Sequence, residues 1–132
     1  MEKELINYAI EAAKNSYSHY SNFRVGAALL TEDNKVYLGC NIENSAYGPS
    51  NCAERTAFFK AISYGCKKFK DIAIVGGKEG EFKDFCSPCG VCRQVMSEFC
   101  NKDFEIILGN KNLEYQKYSL DELLPHSFDL ED

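Results

Sequence analysis

Leu5, Ile6, Ala9, Ala12 and Ala13 recur at helical spacing, which predicts an amphipathic helix over residues 3–15. The polar and aromatic stretch 17–22 has no period and reads as a connecting loop. Residues 24–30 form a short apolar run bounded by turn formers, the mark of a buried strand. Glu32-Asp33-Asn34-Lys35 then supplies a hairpin turn, and residues 36–40 the returning strand. The stretch 41–51 mixes Asn, Ser, Gly and Pro in an order that suits no regular element. Loops of about ten residues inside compact domains are often functional.

The second half repeats the alternation. Residues 52–63 read as a helix, with Gly65 as its C-terminal stop. Residues 72–75 read as an apolar strand running into Gly76-Gly77. Ser87-Pro88 is expected to open another helix, with Ser as N-cap and Pro at the first helical position, and with Cys92, Val95, Met96 and Phe99 as its buried stripe. Residues 104–108 are a further strand, and Ser119-Leu120-Asp121-Glu122 matches a capping box opening a short helix ended by Pro125. The order α-β-β-α-β-α-β-α suggests a mixed sheet with helices packed against its faces. With no repeat, low-complexity tract or linker, residues 1–132 read as one domain.

Composition narrows the possible partners. The chain carries a net charge of −5, and its longest basic cluster is Lys67-Lys68-Phe69-Lys70. That cluster reads as a solvated helix end. Polynucleotide binders draw affinity from neutralising phosphates, so an acidic chain suits a small uncharged substrate better than a nucleic acid. No apolar run approaches the ~20 residues of a membrane span. The charged start Met1-Glu2-Lys3-Glu4 lacks the apolar stretch of a secretory signal, so the expected location is cytoplasmic. Seven cysteines, an odd number, argue against a fully paired disulfide framework and leave free, catalytic or metal-bound thiols.

The spacing of these cysteines points to a metal. Cys89 and Cys92 lie three apart at a predicted helix start, where they share one face and can grip one ion. Cys52-Ala53-Glu54 opens another predicted helix. Helix N-termini lower thiol pKa values through unpaired N–H groups and partial positive charge. Three thiolates converging on one zinc would leave a position for water, as catalytic sites do. A closed site that also used Cys86 would be structural. The run Cys86, Cys89, Cys92 resembles an iron–sulfur motif, but Met96 stands where its fourth cysteine belongs. Cys40, Cys66 and Cys100 are expected to be small buried residues.

Glu54 has two readings: a helix capping partner of Asn51, or a proton carrier beside a catalytic metal. Arg55 is either a surface helix residue or a donor that offsets the negative charge of three thiolates. Two histidines, His19 and His126, offer little for a histidine-based centre, and no motif supports a nucleophilic serine.

Five blocks taken together resemble the small homotetrameric cytidine deaminases over nearly the whole chain. They run from Tyr20 to Ala28, Gly39 to Asn44, Cys52 to Ala57, Ser87 to Gln94 and Leu123 to Phe128. The three-cysteine zinc signature is known among nucleobase deaminases. The resemblance implies a three-layer α/β/α fold on a mixed, about five-stranded sheet. It implies one Zn2+ per subunit on Cys52, Cys89 and Cys92, with Arg55 beside the sulfurs. It further implies hydrolytic attack at C4 of cytidine or deoxycytidine, with Glu54 as proton shuttle, in nucleoside salvage. In this likeness Asn41 and Glu43 bind the ribose hydroxyl, Phe23 packs on the base, and the Ala53 backbone reads the pyrimidine edge. Phe128 and Tyr47 complete the pocket of a neighbouring subunit. Gly48-Pro49-Ser50 and the short tail after Phe128 depart from the family pattern. A deaminase of a modified nucleoside such as blasticidin S, or a non-catalytic zinc module, are the rival readings.

Overall fold

The computed structural model describes residues 1–128; the tail after Phe128 lies outside them. The elements are α1 (Glu2–Ala13), β1 (Phe23–Thr31), β2 (Val36–Cys40), α2 (Ala53–Ser63), β3 (Phe69–Lys78), α3 (Gly90–Phe99), β4 (Glu105–Gly109), β5 (Tyr115–Ser119) and α4 (Leu120–Leu123). The strands form one five-stranded mixed sheet in the order β2-β1-β3-β4-β5. β1 is antiparallel to both β2 and β3, β4 is parallel to β3, and β5 is antiparallel to β4.

The helices fall on both faces, giving the expected three layers. Leu5, Ile6, Ala9 and Ala13 of α1 pack with Ala28, Leu30, Ala73, Val75 and Ile107. On the other face Ala53, Ala57, Phe58 and Ala61 of α2, with Met96 and Leu120, pack on Ala27, Leu29, Ile72, Ile74 and Ile106. β3 therefore feeds both cores, Ile72 and Ile74 to one side, Ala73 and Val75 to the other. That is why it reads as an unbroken apolar run rather than an alternation. Phe58 is fully buried and meets Phe69 edge-on at 5.0 Å between ring centres. Burial of such a ring contributes on the order of 3 kcal/mol.

Three expectations need correction. Residues 115–119 form a strand that the hydrophobic pattern missed, because β5 is a polar, largely exposed edge strand. Its Lys117 joins the sheet to α1 by ion pairs with Glu2 at 2.9 Å and Glu105 at 3.0 Å. Next, α3 begins at Gly90 with Cys89 as N-cap, not at Ser87-Pro88, because the Cys89 sulfur accepts the Cys92 N–H and Ser87 is bonded elsewhere. Its buried stripe shrinks to Cys92 and Met96, while Phe99 is exposed. Finally, Cys40, Cys66 and Cys100 are half-buried, at the margins of the core.

α2 stops as expected. Gly65 takes φ +92°, the Gly65 N–H donates to the Ile62 carbonyl and the Cys66 N–H to the Ala61 carbonyl. This is a Schellman ending, which a glycine adopts without strain. At the other end of α2 the close approach is made by Gly39 of β2. A Cβ there would stand 2.6 Å from the Ala57 nitrogen and closer still to the Ala53 carbonyl. Gly39→Ala is expected to lift the first turns of α2 off the sheet and to destabilise the protein by about 1–3 kcal/mol. Calorimetry checks this; an unchanged melting temperature would mean that the helix yields freely.

The topology also places both helix starts together. β2 and β3 run the same way because each is antiparallel to β1. α2 follows the C-terminal end of β2 and α3 that of β3, so both N-termini emerge at one edge of the sheet, where open α/β sheets hold their ligands. Among the described residues no helix is long and apolar enough to cross a membrane.

Candidate active site

Cys52 is the N-cap of α2 and Cys89 the N-cap of α3. With Cys92 one turn into α3, their sulfurs all lie within 4.8 Å of one another. Cys52 and Cys89 are 3.7 Å apart and Cys89 and Cys92 3.2 Å apart. A tetrahedral zinc with sulfurs at about 2.3 Å would set them about 3.8 Å from one another, which Cys52 and Cys89 already meet, while Cys89 and Cys92 would part slightly to take the ion. Cys86 does not join the group. It packs over Gly76, where a Cβ would meet its sulfur at 2.7 Å. Three ligands thus leave the fourth position of a tetrahedron to water or substrate.

The surroundings fit a cation bound by thiolates. Arg55 Nη2 donates to the Cys52 sulfur at 3.2 Å, and its Nε is buried with no partner among the described residues. The donor reading of Arg55 is thus the one the geometry supports. The Cys52 thiol is pulled down to about 5, first by the Cys92 thiol donating to it, then by Arg55 and Cys89, against burial. Its partner Cys92 moves up, because it keeps the shared proton and is desolvated. Burial, with the charge of nearby Glu54, pushes the Cys86 thiol up to about 11, which leaves it a poor nucleophile.

Glu54 is 4% exposed. Burial lifts its carboxyl to about 7, and the negative Cys52 adds to the effect. It does not form a capping pair with Asn51, whose amide donates to Thr56 Oγ1 at 3.1 Å instead.

Glu54, Cys52, Ala53, Arg55 and Cys89 line a cavity of about 550 Å3 together with Asn41, Glu43 and Tyr47. Asn41 and Glu43 carry structural duties as well. The Asn41 carbonyl oxygen accepts from Ser16 Oγ and from the Val25 N–H at 2.9 Å, and its amide donates to the Phe23 carbonyl at 2.8 Å. Glu43 accepts from the Tyr20 and Ser21 N–H groups at 3.2 Å and from the Ser21 hydroxyl, which holds its carboxyl below the usual range. Among the described residues, one amide hydrogen of Asn41 and part of the Glu43 carboxylate have no partner. Phe23 is not in the cavity wall; its ring lies beside Gly76 and is 39% exposed. Tyr47 lines the rim at 83% exposure, and Phe128, at 68%, lies away from the cavity of its own chain.

The loop 41–51 is tied at its neck, where Ile42 and Asn51 exchange both backbone hydrogen bonds, at 2.9 and 2.8 Å. Cys86, Ser87 and Val91 also line the cavity; only their nearness to Cys89 in sequence could have signalled it. A second concavity of about 600 Å3 lies at the far end of α2, between Tyr37, Tyr64 and the exposed Lys67 and Lys68. No group of metal ligands stands there among the described residues.

Comparison with known proteins agrees with this geometry. Residues 1–108 match the model of the cytidine and deoxycytidylate deaminase zinc-binding region. A cytidine deaminase from Sporosarcina psychrophila is 49% identical, the match covering 98% of this chain and 93% of the relative. A cytidine deaminase from Halalkalibacterium halodurans is 48% identical, over 97% and 94% respectively. The crystal structure of cytidine deaminase from Burkholderia pseudomallei superposes with a TM-score of 0.89 at 45% identity, covering 97% of this chain and 99% of that one. With its three-cysteine site and five-stranded sheet, the chain belongs to the cytidine and deoxycytidylate deaminase zinc-binding family.

Proposed function

We propose that this chain, as one domain over residues 1–132, hydrolyses cytidine and deoxycytidine to uridine and deoxyuridine with release of ammonia. The observation that carries the reading is a trio of cysteine sulfurs, two of which line one cavity together with a buried carboxylate. Cys52, Cys89 and Cys92 would hold one Zn2+, which when bound supplies the Lewis acidity that ionises water near neutral pH.

Glu54 moves the protons. It accepts one from the attacking water as oxygen bonds to C4 and passes it to N3 of the ring; it then takes the remaining hydroxyl proton and delivers it to the amine, so that the C4–N bond breaks, ammonia leaves and the C4 carbonyl forms. A carboxyl held near 7 by burial can both take and return a proton at neutral pH. Arg55 offsets thiolate charge through its bond to Cys52, which keeps the centre from becoming too electron-rich to acidify water. The backbone of Ala53, at the start of α2 where N–H groups lack helical partners, reads the pyrimidine edge. Asn41 and Glu43 offer their remaining donor and acceptor to a ribose hydroxyl, and their intrachain bonds hold both in place beforehand. Phe23, its ring beside Gly76 and the cavity-lining Cys86, would pack against the base only by turning inward from outside the present cavity wall.

The exposure of Tyr47 and Phe128 supports a homotetramer in which these rings complete a neighbour's pocket. Net charge −5 suits an uncharged nucleoside and no polynucleotide. Cytoplasmic nucleoside salvage is the setting this fits.

Zinc content and ultraviolet assays on cytidine, deoxycytidine, cytosine, CMP and blasticidin S test the proposal. Zinc near one per chain with turnover of both plain nucleosides is expected. Preferred turnover of blasticidin S would favour the modified-nucleoside reading, and zinc without any turnover a structural module. Light scattering tests the assembly, since a fully active monomer contradicts a shared pocket.

A further inference from the structure

Arg93 stands in the first turn of α3, directly after Cys92, and turns its guanidinium back over the segment that delivers Cys89. Nε donates to the Pro88 carbonyl at 2.9 Å, Nη2 to Ser87 Oγ at 2.9 Å, and Nη1 to the Leu123 carbonyl at 2.8 Å. The Leu123 carbonyl belongs to the last turn of α4, one of the helix-end acceptors that no intrahelical N–H reaches. One side chain thus ties the approach to Cys89 to a separate element of the fold.

Few other hydrogen bonds hold that approach, although Pro88 is buried and Cys86 packs over Gly76. Among the described residues, no other hydrogen bond reaches segment 84–88. The nearest backbone anchors are the Lys83 N–H on the Glu81 carbonyl before it and the Arg93 N–H on the Cys89 carbonyl after it. Pro88 has no N–H to add a bond of its own. Cys89 is exposed and cannot be positioned by core packing as Cys92 is. Among the described residues Arg93 has no carboxylate partner, and the three acceptors it reaches are all neutral.

We infer that Arg93 is a positioning residue for the metal: it clamps segment 84–88 to α4 and so sets the place of the Cys89 sulfur relative to Cys52 and Cys92. This rests on the reading of those three cysteines as zinc ligands. A ligand held in its bound position before the metal arrives loses less freedom on binding. The three acceptors point from different directions, and a planar guanidinium satisfies them together where a lysine ammonium cannot. Leu123 O lies on the same guanidinium, so the chain that continues to Phe128 is anchored by the clamp as well.

The test compares wild type, Arg93→Gln, Arg93→Lys and Ser87→Ala by zinc competition against a chromophoric chelator. Melting temperatures are taken with and without zinc. Arg93→Gln is expected to weaken zinc about 10–100-fold, the range seen when a group that orients a ligand is removed. Arg93→Lys should lie between it and wild type, and Ser87→Ala, losing one bond of three, nearest wild type. Zinc-loaded melting temperature should fall more than the zinc-free one. Equal falls in both forms, with wild-type zinc affinity, would overturn the inference and make Arg93 a purely structural residue. If Arg93→Gln does not fold, wild-type affinity in both Arg93→Lys and Ser87→Ala overturns it equally. A wild-type protein that binds no zinc refutes the functional reading itself, and this inference with it.

Discussion

Glu54→Gln is expected to keep zinc near the wild-type content while lowering kcat on cytidine by about 10²–10⁴-fold, the range general acid–base groups contribute. Gln matches Glu in size and hydrogen-bonding reach, so the first turn of α2 and the sulfur trio stay in place. What is lost is the ability to take up and release a proton. The site of exchange, at 4% exposure, gives bulk water little chance to substitute. Zinc analysis alongside steady-state kinetics checks both halves; a rate within tenfold of wild type refutes the shuttle. A linked effect appears in zinc-free protein. The folded Glu54 carboxyl sits at about 7 against an ordinary 4.5, so between those values the folded state holds a proton that the unfolded chain has lost. Stability contributed by this group is present at low pH and falls as pH rises from about 4.5 to 7. The Gln variant lacks that slope, and zinc-free denaturation curves at pH 5 and pH 8 measure the difference.

Cys89→Ala should abolish zinc retention, and activity with it. Two protein ligands hold zinc through dialysis far less well than three. The cost to the zinc-free fold should be small by contrast. Cys89 is exposed, and its side chain serves α3 through the sulfur, which accepts the Cys92 N–H at 3.5 Å and meets the Cys92 sulfur at 3.2 Å, a cap worth about 1 kcal/mol or less. Metal analysis after dialysis, with circular dichroism of the zinc-free form, separates the two effects. Zinc still near one per chain would remove Cys89 from the ligand set.

The elements legible in the sequence were those governed by neighbours along the chain. α1 shows its five buried residues at helical spacing, and all five are buried. The Ser119–Glu122 capping box forms with both of its hydrogen bonds. Gly65 ends α2 in the left-handed region that its type permits. β5 left no comparable trace, since an exposed polar edge strand pays little attention to hydrophobic period and is defined by its pairing with β4. The start of α3 was misplaced by two well-founded local preferences, Ser as cap and Pro at the first position. The Cys89 sulfur and the Arg93 guanidinium outcompete them.

The candidate site divides in the same way. Sequence alone determined that Cys89 and Cys92 share a face and suit a metal, because three-residue spacing at a helix start dictates it. It also holds the five blocks that carry the family resemblance. Only the tertiary structure decided that Cys52, far away in the chain, meets them at 3.7 Å. The reason is topological: β2 and β3 run the same way through β1, so the helices that follow them start at one edge. It decided too that Cys86 stays apart over Gly76, that Asn41 and Glu43 brace the cavity they line, and that Arg93 grips both the approach to Cys89 and the end of α4. Spacing along a chain constrains what one helix turn can do; which turns face each other follows from the sheet.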